Sequence, residues 1–154
     1  MTPDTPAIRA ITATGVAHRI VEYGKVPGLE EAARRLGVDP HCVMKSLVVR
    51  TADDEYVMVI VPGDRVIDWP KLRELLGESR MSLAPTDEAF AVTGYHRGAI
   101  TPFGSIRQLP VICDSSVTGE ISIGGGVHGV SILLDASDLI EFTGSVVADV
   151  TKPA

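Results

Sequence analysis

The apolar positions of this chain fall in short runs of two kinds, helical and strand-like, punctuated by glycine and proline. Thr5-Pro6 reads as an N-cap with proline at the first helical position, opening a short helix that ends near Gly15. His18–Tyr23 reads as a strand. Leu29–Leu36 reads as a helix with acids early, arginines late and Gly37 as its stop. Val38-Asp39-Pro40 breaks the chain. Met44–Thr51 and Tyr56–Pro62 then form two β-rich runs about the polar turn Ala52–Glu55, the pattern of a hairpin. Asp68 caps a predicted helix over Trp69–Leu76, closed by Gly77, and Thr86–Val92 reads as another. Thr93–Gly104 fits neither period. Leu109–Asp114, Glu120–Ile123 and Val130–Asp135 read as strands, and Asp135–Ile140 as a short helix.

Strands joined by short turns, with helices interspersed irregularly, predict an α+β fold with a mixed, largely antiparallel sheet. No repeat or linker divides the 154 residues, so a single domain spanning 1–154 is expected. Hydrophobic residues make up 45% of the chain and aromatics only 5%, so the core must rest on Val, Ile, Leu and Ala. The longest apolar runs, such as Val57–Val61, are strand-sized, and no membrane partner is expected. The N-terminus Met1-Thr2-Pro3-Asp4 lacks a basic patch followed by an apolar stretch, and Cys42 and Cys113 sit in no pairing or metal pattern. Together these features suit a reducing cytoplasm. Net charge is −6, so any surface for a polyanion must be local.

Chemistry could sit in three places. Lys45 opens the run Ser46-Leu47-Val48-Val49; in a strand it shares a face with Leu47, opposite Ser46 and Val48. It reads either as a solvated edge charge or as a cation aimed into a pocket. Gly98-Ala99-Ile100-Thr101-Pro102 reads either as a plain connection or as a loop whose N–H groups surround a carbonyl oxygen. Gly124-Gly125-Gly126-Val127-His128-Gly129 matches GxGxxG by letter, but a β-rich run follows it, so a turn beside a pocket replaces the dinucleotide reading. The four histidines show no metal spacing; no metal or cofactor is expected, and no GxSxG elbow occurs. Cys113 reads as core. Asp114 and Asp135 read as turn caps.

In order and spacing, these segments resemble the YbaK/prolyl-tRNA synthetase-associated editing family. The likeness rests on Thr5-Pro6-Ala7, Glu31–Gly37, Met44–Val49, Thr93-Gly94-Tyr95, Gly98–Gly104, Leu109-Pro110, and Gly125-Gly126 with Gly129. The resemblance implies a curled, partly barrel-like mixed sheet with surrounding helices. It also implies hydrolysis of the ester between a mischarged small amino acid and its tRNA, with tRNA(Pro) the expected carrier. Lys45 matches the family's essential lysine, which positions the terminal phosphate or the carbonyl group, and Gly98 begins its GxxxP loop, which holds the ester carbonyl; these two are the implied catalytic residues. Tyr23, Ser46, Ala99, Ile100, Thr101, Pro102, Gly124, Gly125, Gly126, His128 and Ser131 are the implied substrate-binding positions. The partner implied is the acceptor end of mischarged aminoacyl-tRNA rather than DNA, with an aminoacyl-tRNA synthetase as a second partner. Gly124 and Ser131 depart from the cysteine-clearing branch, which has serine and aspartate there. Ala, Ser, Thr and Cys therefore all stay open as the edited residue, and a noncatalytic tRNA- or synthetase-binding module is the alternative.

Overall fold

The computed structural model describes residues 3–154; Met1 and Thr2, where the leader reading begins, lie outside them. Local chemistry fixes the helix ends. α1 (Pro6–Thr14) starts where the Thr5 hydroxyl accepts from the Ile8 N–H at 3.1 Å, and stops where Gly15 turns left-handed. β1 (Arg19–Glu22) leads to α2 (Leu29–Leu36), whose Glu31 bonds Arg34 and Arg35 one turn on. A 3₁₀ turn at Pro40–Cys42 precedes β2 (Met44–Ala52) and β3 (Glu55–Pro62). β4 (Arg65–Ile67), α3 (Trp69–Leu76), β5 (Ser82–Leu83) and α4 (Thr86–Thr93) follow. After an irregular stretch come β6 (Val111–Asp114), β7 (Glu120–Gly124), β8 (Val130–Asp135), α5 (Ala136–Thr143), β9 (Val146–Ala148) and β10 (Thr151–Pro153).

The β2–β3 hairpin organises the molecule. Its register runs from Met44↔Pro62 to Ala52↔Glu55, and the sheet continues as β5-β2-β3-β6-β9, with β6 and β9 parallel to their neighbours. Alternation splits the hairpin between two cores. Met44, Val48, Met58 and Ile60 face one core with Ile100, Phe103 and Ile132, while Val49, Val57, Val59 and Val61 face another with Ile67, Leu72 and Val150. Because β3 is covered on both faces, Val57–Val61 has no polar member. Each such side chain contributes about 1.5–3 kcal/mol by its burial, which makes β2 a firm base for anything along its edge. A second sheet, β1-β8-β7, is antiparallel and meets the first through a parallel bridge between Val43 and Ser122. β4 and β10 pair antiparallel as a third sheet. The fold is thus α+β with five helices and mixed, largely antiparallel sheets, curled against each other but not closed into a barrel among the described residues.

Four short strands and the 3₁₀ turn were not expected from the sequence: β4, β5, β9 and β10 are two or three residues long, too short to show a period. The strand expected over Leu109–Asp114 begins only at Val111. Asp114 and Asp135 both serve as caps. Asp135 accepts from the Ser137 N–H at 2.9 Å, and buried Asp114 accepts from the Ser116 and Val150 N–H groups, each at 3.1 Å. Among the described residues, no helix is long and apolar enough to cross a membrane.

Candidate active site

A cavity of about 310 Å³ runs along the edge of β2 that β5 leaves open. β5 pairs only with Val49 and Arg50, so Val43–Val48 remain as one wall. Leu83, Ala84, Thr86 and Ala89 close a second side; Arg97, Gly98, Ile100 and Gly124 close the third. Most of this lining is apolar, and it contains two cations and no carboxylate.

Lys45 and Gly98, distant in sequence, border this same cavity. The Lys45 side chain lies on the Leu47 side of β2, and its Nζ donates to the main-chain carbonyl of Arg65 at the start of β4. Burial pushes the ammonium below the ordinary lysine range, and nearby Asp64 opposes that shift. Asp64 is itself bonded to His41 Nδ1 at 2.6 Å, and His41 Nε2 reaches the Ser116 carbonyl at 3.2 Å. Burial works against charge on His41, but the Ser116 carbonyl and Asp64 outweigh it and hold its pKa up. Gly63 completes this corner: a β-carbon there would come 2.6 Å from the Pro40 carbonyl. The seat of Lys45 is therefore a tightly packed turn.

Gly98 has φ 92°, a conformation that penalises any β-carbon, and the position such a carbon would occupy is 3.2 Å from His128 Nε2. His128 Nε2 bonds the Arg97 carbonyl at 2.8 Å, and since a carbonyl only accepts, that nitrogen carries the proton. The peptide after Arg97 is trans, so its N–H, on Gly98, points away from His128. The next amide is already used, because the Ala99 N–H donates to His96 at 2.9 Å. Thr101 is fully buried, and its carbonyl accepts from the Ser105 hydroxyl at 2.8 Å. Only Gly98 and Ile100 of the Gly98–Pro102 loop border the cavity; Ala99, Thr101 and Pro102 face inward. Tyr95 braces the loop from beneath, its hydroxyl donating to the Phe103 carbonyl at 2.8 Å, and burial pushes its pKa up to about 12.

The structure brings together Lys45, Ser46, Gly98, Ile100 and Gly124. Gly124 is there for closeness: a β-carbon would come 2.7 Å from the Ile100 carbonyl and 2.9 Å from that of Ala99. Ser46 Oγ is buried and has no hydrogen-bond partner, the one such side-chain atom among the described residues. Other expected positions lie elsewhere. Ser131 is buried and accepts from the Ser122 hydroxyl at 3.2 Å, so it does not shape the cavity. Gly125 accepts from the Thr5 hydroxyl at 2.7 Å, and its N–H donates to Val130. Gly126, at φ 90°, packs on Tyr95 and Thr5. The Tyr23 N–H donates to the Gly129 carbonyl at 2.8 Å, which joins β1 to the β7–β8 turn without placing Tyr23 on the cavity wall.

Sequence reasoning missed Arg97, although it stands beside Gly98, and missed the wall formed by Leu83, Ala84 and Ala89. Arg97 could have been found by asking which cation neighbours the loop. The wall could not, since it depends on how α4 packs. Among the described residues, no group of three His, Cys, Asp or Glu side chains is placed to hold a metal ion.

Comparison with known proteins gives a consistent result. Residues 24–142 match the model of a family described as the aminoacyl-tRNA editing domain. The chain is 26% identical over 150 residues to EbsC of Enterococcus faecalis, named as a candidate Cys-tRNA(Pro)/Cys-tRNA(Cys) deacylase; the match covers 88% of this chain and 92% of that one. It is 30% identical over 129 residues to the proline–tRNA ligase of Halalkalibacterium halodurans, where it covers 84% of this chain but spans 20% of the ligase. The crystal structure of a candidate trans-editing enzyme for prolyl-tRNA synthetase matches with a TM-score of 0.88 at 25% identity, covering 97% of this chain and 99% of that one.

Proposed function

Since the chain belongs to the aminoacyl-tRNA editing domain family, we propose that it is a trans-acting deacylase that hydrolyses the ester of a mischarged small amino acid on tRNA, with tRNA(Pro) as the carrier. One observation supports this above the rest: Lys45 and Gly98 border a single apolar cavity despite lying far apart in sequence. In this reading the ester carbonyl sits against the loop, where the Gly98 N–H takes the negative charge that develops on its oxygen. Lys45 leaves the Arg65 carbonyl and adds its positive charge to the same group. A low-dielectric lining strengthens both interactions. Water supplies the oxygen of the released amino acid, and the tRNA hydroxyl leaves with a proton.

The apolar wall supports a small edited residue without charge, and such a site discriminates weakly between similar side chains. The reaction as proposed needs no metal, takes place in the cytoplasm, and allows a synthetase to deliver the tRNA. The test is a panel of Ala-, Ser-, Thr- and Cys-charged tRNA(Pro), assayed with and without EDTA. Release of at least one amino acid well above the buffer rate, unaffected by EDTA, is expected. Absence of release from every member would overturn the proposal.

A second reading, tRNA binding without turnover, is favoured by one feature: the Lys45 ammonium is already engaged by Arg65. Saturable tRNA binding with no release from the panel would select it.

A further inference from the structure

Aromatic side chains are scarce in this protein, and of the Phe, Tyr and Trp residues only Phe90 and Phe142 are exposed. Each stacks on a second ring, and the two stacks differ. Phe142 lies on Phe103, which is fully buried, so that pair extends the core outward. Phe90 lies on His96, itself exposed, with ring centroids 4.5 Å apart and ring planes 23° from parallel. Core packing does not account for a pair of rings that both meet solvent. Their position does suggest a use. On α4, Phe90 follows Thr86 by one turn and Ala89 by one residue, and both of those line the cavity. His96 immediately precedes Arg97 and Gly98, which line its third side. The stack therefore bridges two sides of the cavity where they meet solvent. Both backbones are fixed: the Phe90 carbonyl accepts from the Gly94 N–H at 2.7 Å, and the His96 carbonyl from the Ala99 N–H at 2.9 Å.

We propose that Phe90 and His96 form a stacking platform for the terminal nucleobase of the tRNA, at the rim of the cavity that holds the ester. This inference rests on the deacylase reading and adds the means by which the acceptor end is oriented. The base and the ester are carried by the same ribose, so a ligand with its ester beside Gly98 brings that base to the rim. An unpaired base has two bare π-faces, and aromatic side chains hold such bases by stacking. Stacking also gains affinity without charge, which suits a protein whose net charge is −6. Neither ring touches the reacting bond, so both are binding residues.

The test uses the amino acid that the wild type releases best, esterified to tRNA, to adenosine and to methanol; the methyl ester has no base. Phe90→Ala and His96→Ala should each lose about fivefold or more in kcat/KM on tRNA and on the adenosine ester, chiefly through KM. Both should lose several-fold less on the methyl ester. Phe90→Leu, which keeps apolar bulk without a ring, should resemble Phe90→Ala, whereas His96→Phe should stay near wild type. Phe90→Ala should leave the slope of log kcat/KM against log salt unchanged, because no phosphate contact is removed. Equal losses on all three carriers would make the pair a brace for the Gly98 loop, and no loss on the adenosine ester would place the base elsewhere. Either result overturns the platform. Where the wild type releases no amino acid from any carrier, the deacylase reading falls and binding decides the matter. The wild type should then bind uncharged tRNA more tightly than the same tRNA lacking its terminal base, and Phe90→Ala should bind the two alike. No preference in the wild type would sink the proposal.

Discussion

The molecule has two glycine-bearing loop segments, Gly98–Gly104 and Gly124–Gly129, and they do different work. The second is spent on internal bonds: Gly125 is tied to Thr5 and Val130, Gly126 packs on Tyr95, and Gly129 receives the N–H groups of Tyr23 and Gly24. The first gives two residues, Gly98 and Ile100, to the cavity wall. They meet where Gly124 presses on the Ile100 and Ala99 carbonyls and His128 holds that of Arg97. The later segment thus acts as the mould in which the earlier one sets. Glycine in one serves close packing; in the other, Gly98 holds a left-handed backbone at the cavity wall.

Substitutions can break this contrast. The largest effect is expected at Gly98→Ala, where a β-carbon strains a φ of 92° and pushes on His128. A displacement of this kind at the ester should lower the deacylation rate about a hundredfold with the fold intact, read by single-turnover kinetics beside circular dichroism. Lys45→Ala should follow, at tenfold or more, about 1.4 kcal/mol of transition-state stabilisation; an unchanged rate would remove Lys45 from the mechanism. Gly125→Ala should act differently. Its β-carbon would come 2.7 Å from the Val130 carbonyl, so thermal or denaturant unfolding should show a loss of about 1–3 kcal/mol. The rate per folded molecule should change far less than in Gly98→Ala, and a comparable rate loss would erase the distinction between the segments. His128→Ala should have the smallest effect, about threefold in rate, for one hydrogen bond of about 0.5–1.5 kcal/mol. His128→Gln, which keeps a donor, should recover part of it.

Much of the fold was legible because its signals are local. Thr5-Pro6 and Gly15 bound α1, Gly37 and Gly77 end their helices, and the polar turn between two β-rich runs marks the hairpin. β4 and β10 were not legible. Each is three residues long and finds its partner about half the chain away, as Ile67 does with Thr151. The site divides along the same line. Resemblance pointed to positions, but which of them border the cavity depends on register and packing. Register turns Ser131 toward Ser122, packing turns Thr101 inward, and the fold places Arg97 at the rim. Lys45 shows the limit most clearly: alternation along β2 gave its face, and only the fold reveals the Arg65 carbonyl that holds its ammonium.

The most direct measurement is a crystal structure of the protein with a nonhydrolysable aminoacyl-adenosine analogue, its ester replaced by an amide. The account predicts that the analogue's carbonyl lies within hydrogen-bonding distance of the Gly98 N–H and that Lys45 Nζ has left Arg65 to join it. An analogue bound in the cavity with Lys45 still on the Arg65 carbonyl, or with its own carbonyl turned from Gly98, would contradict it.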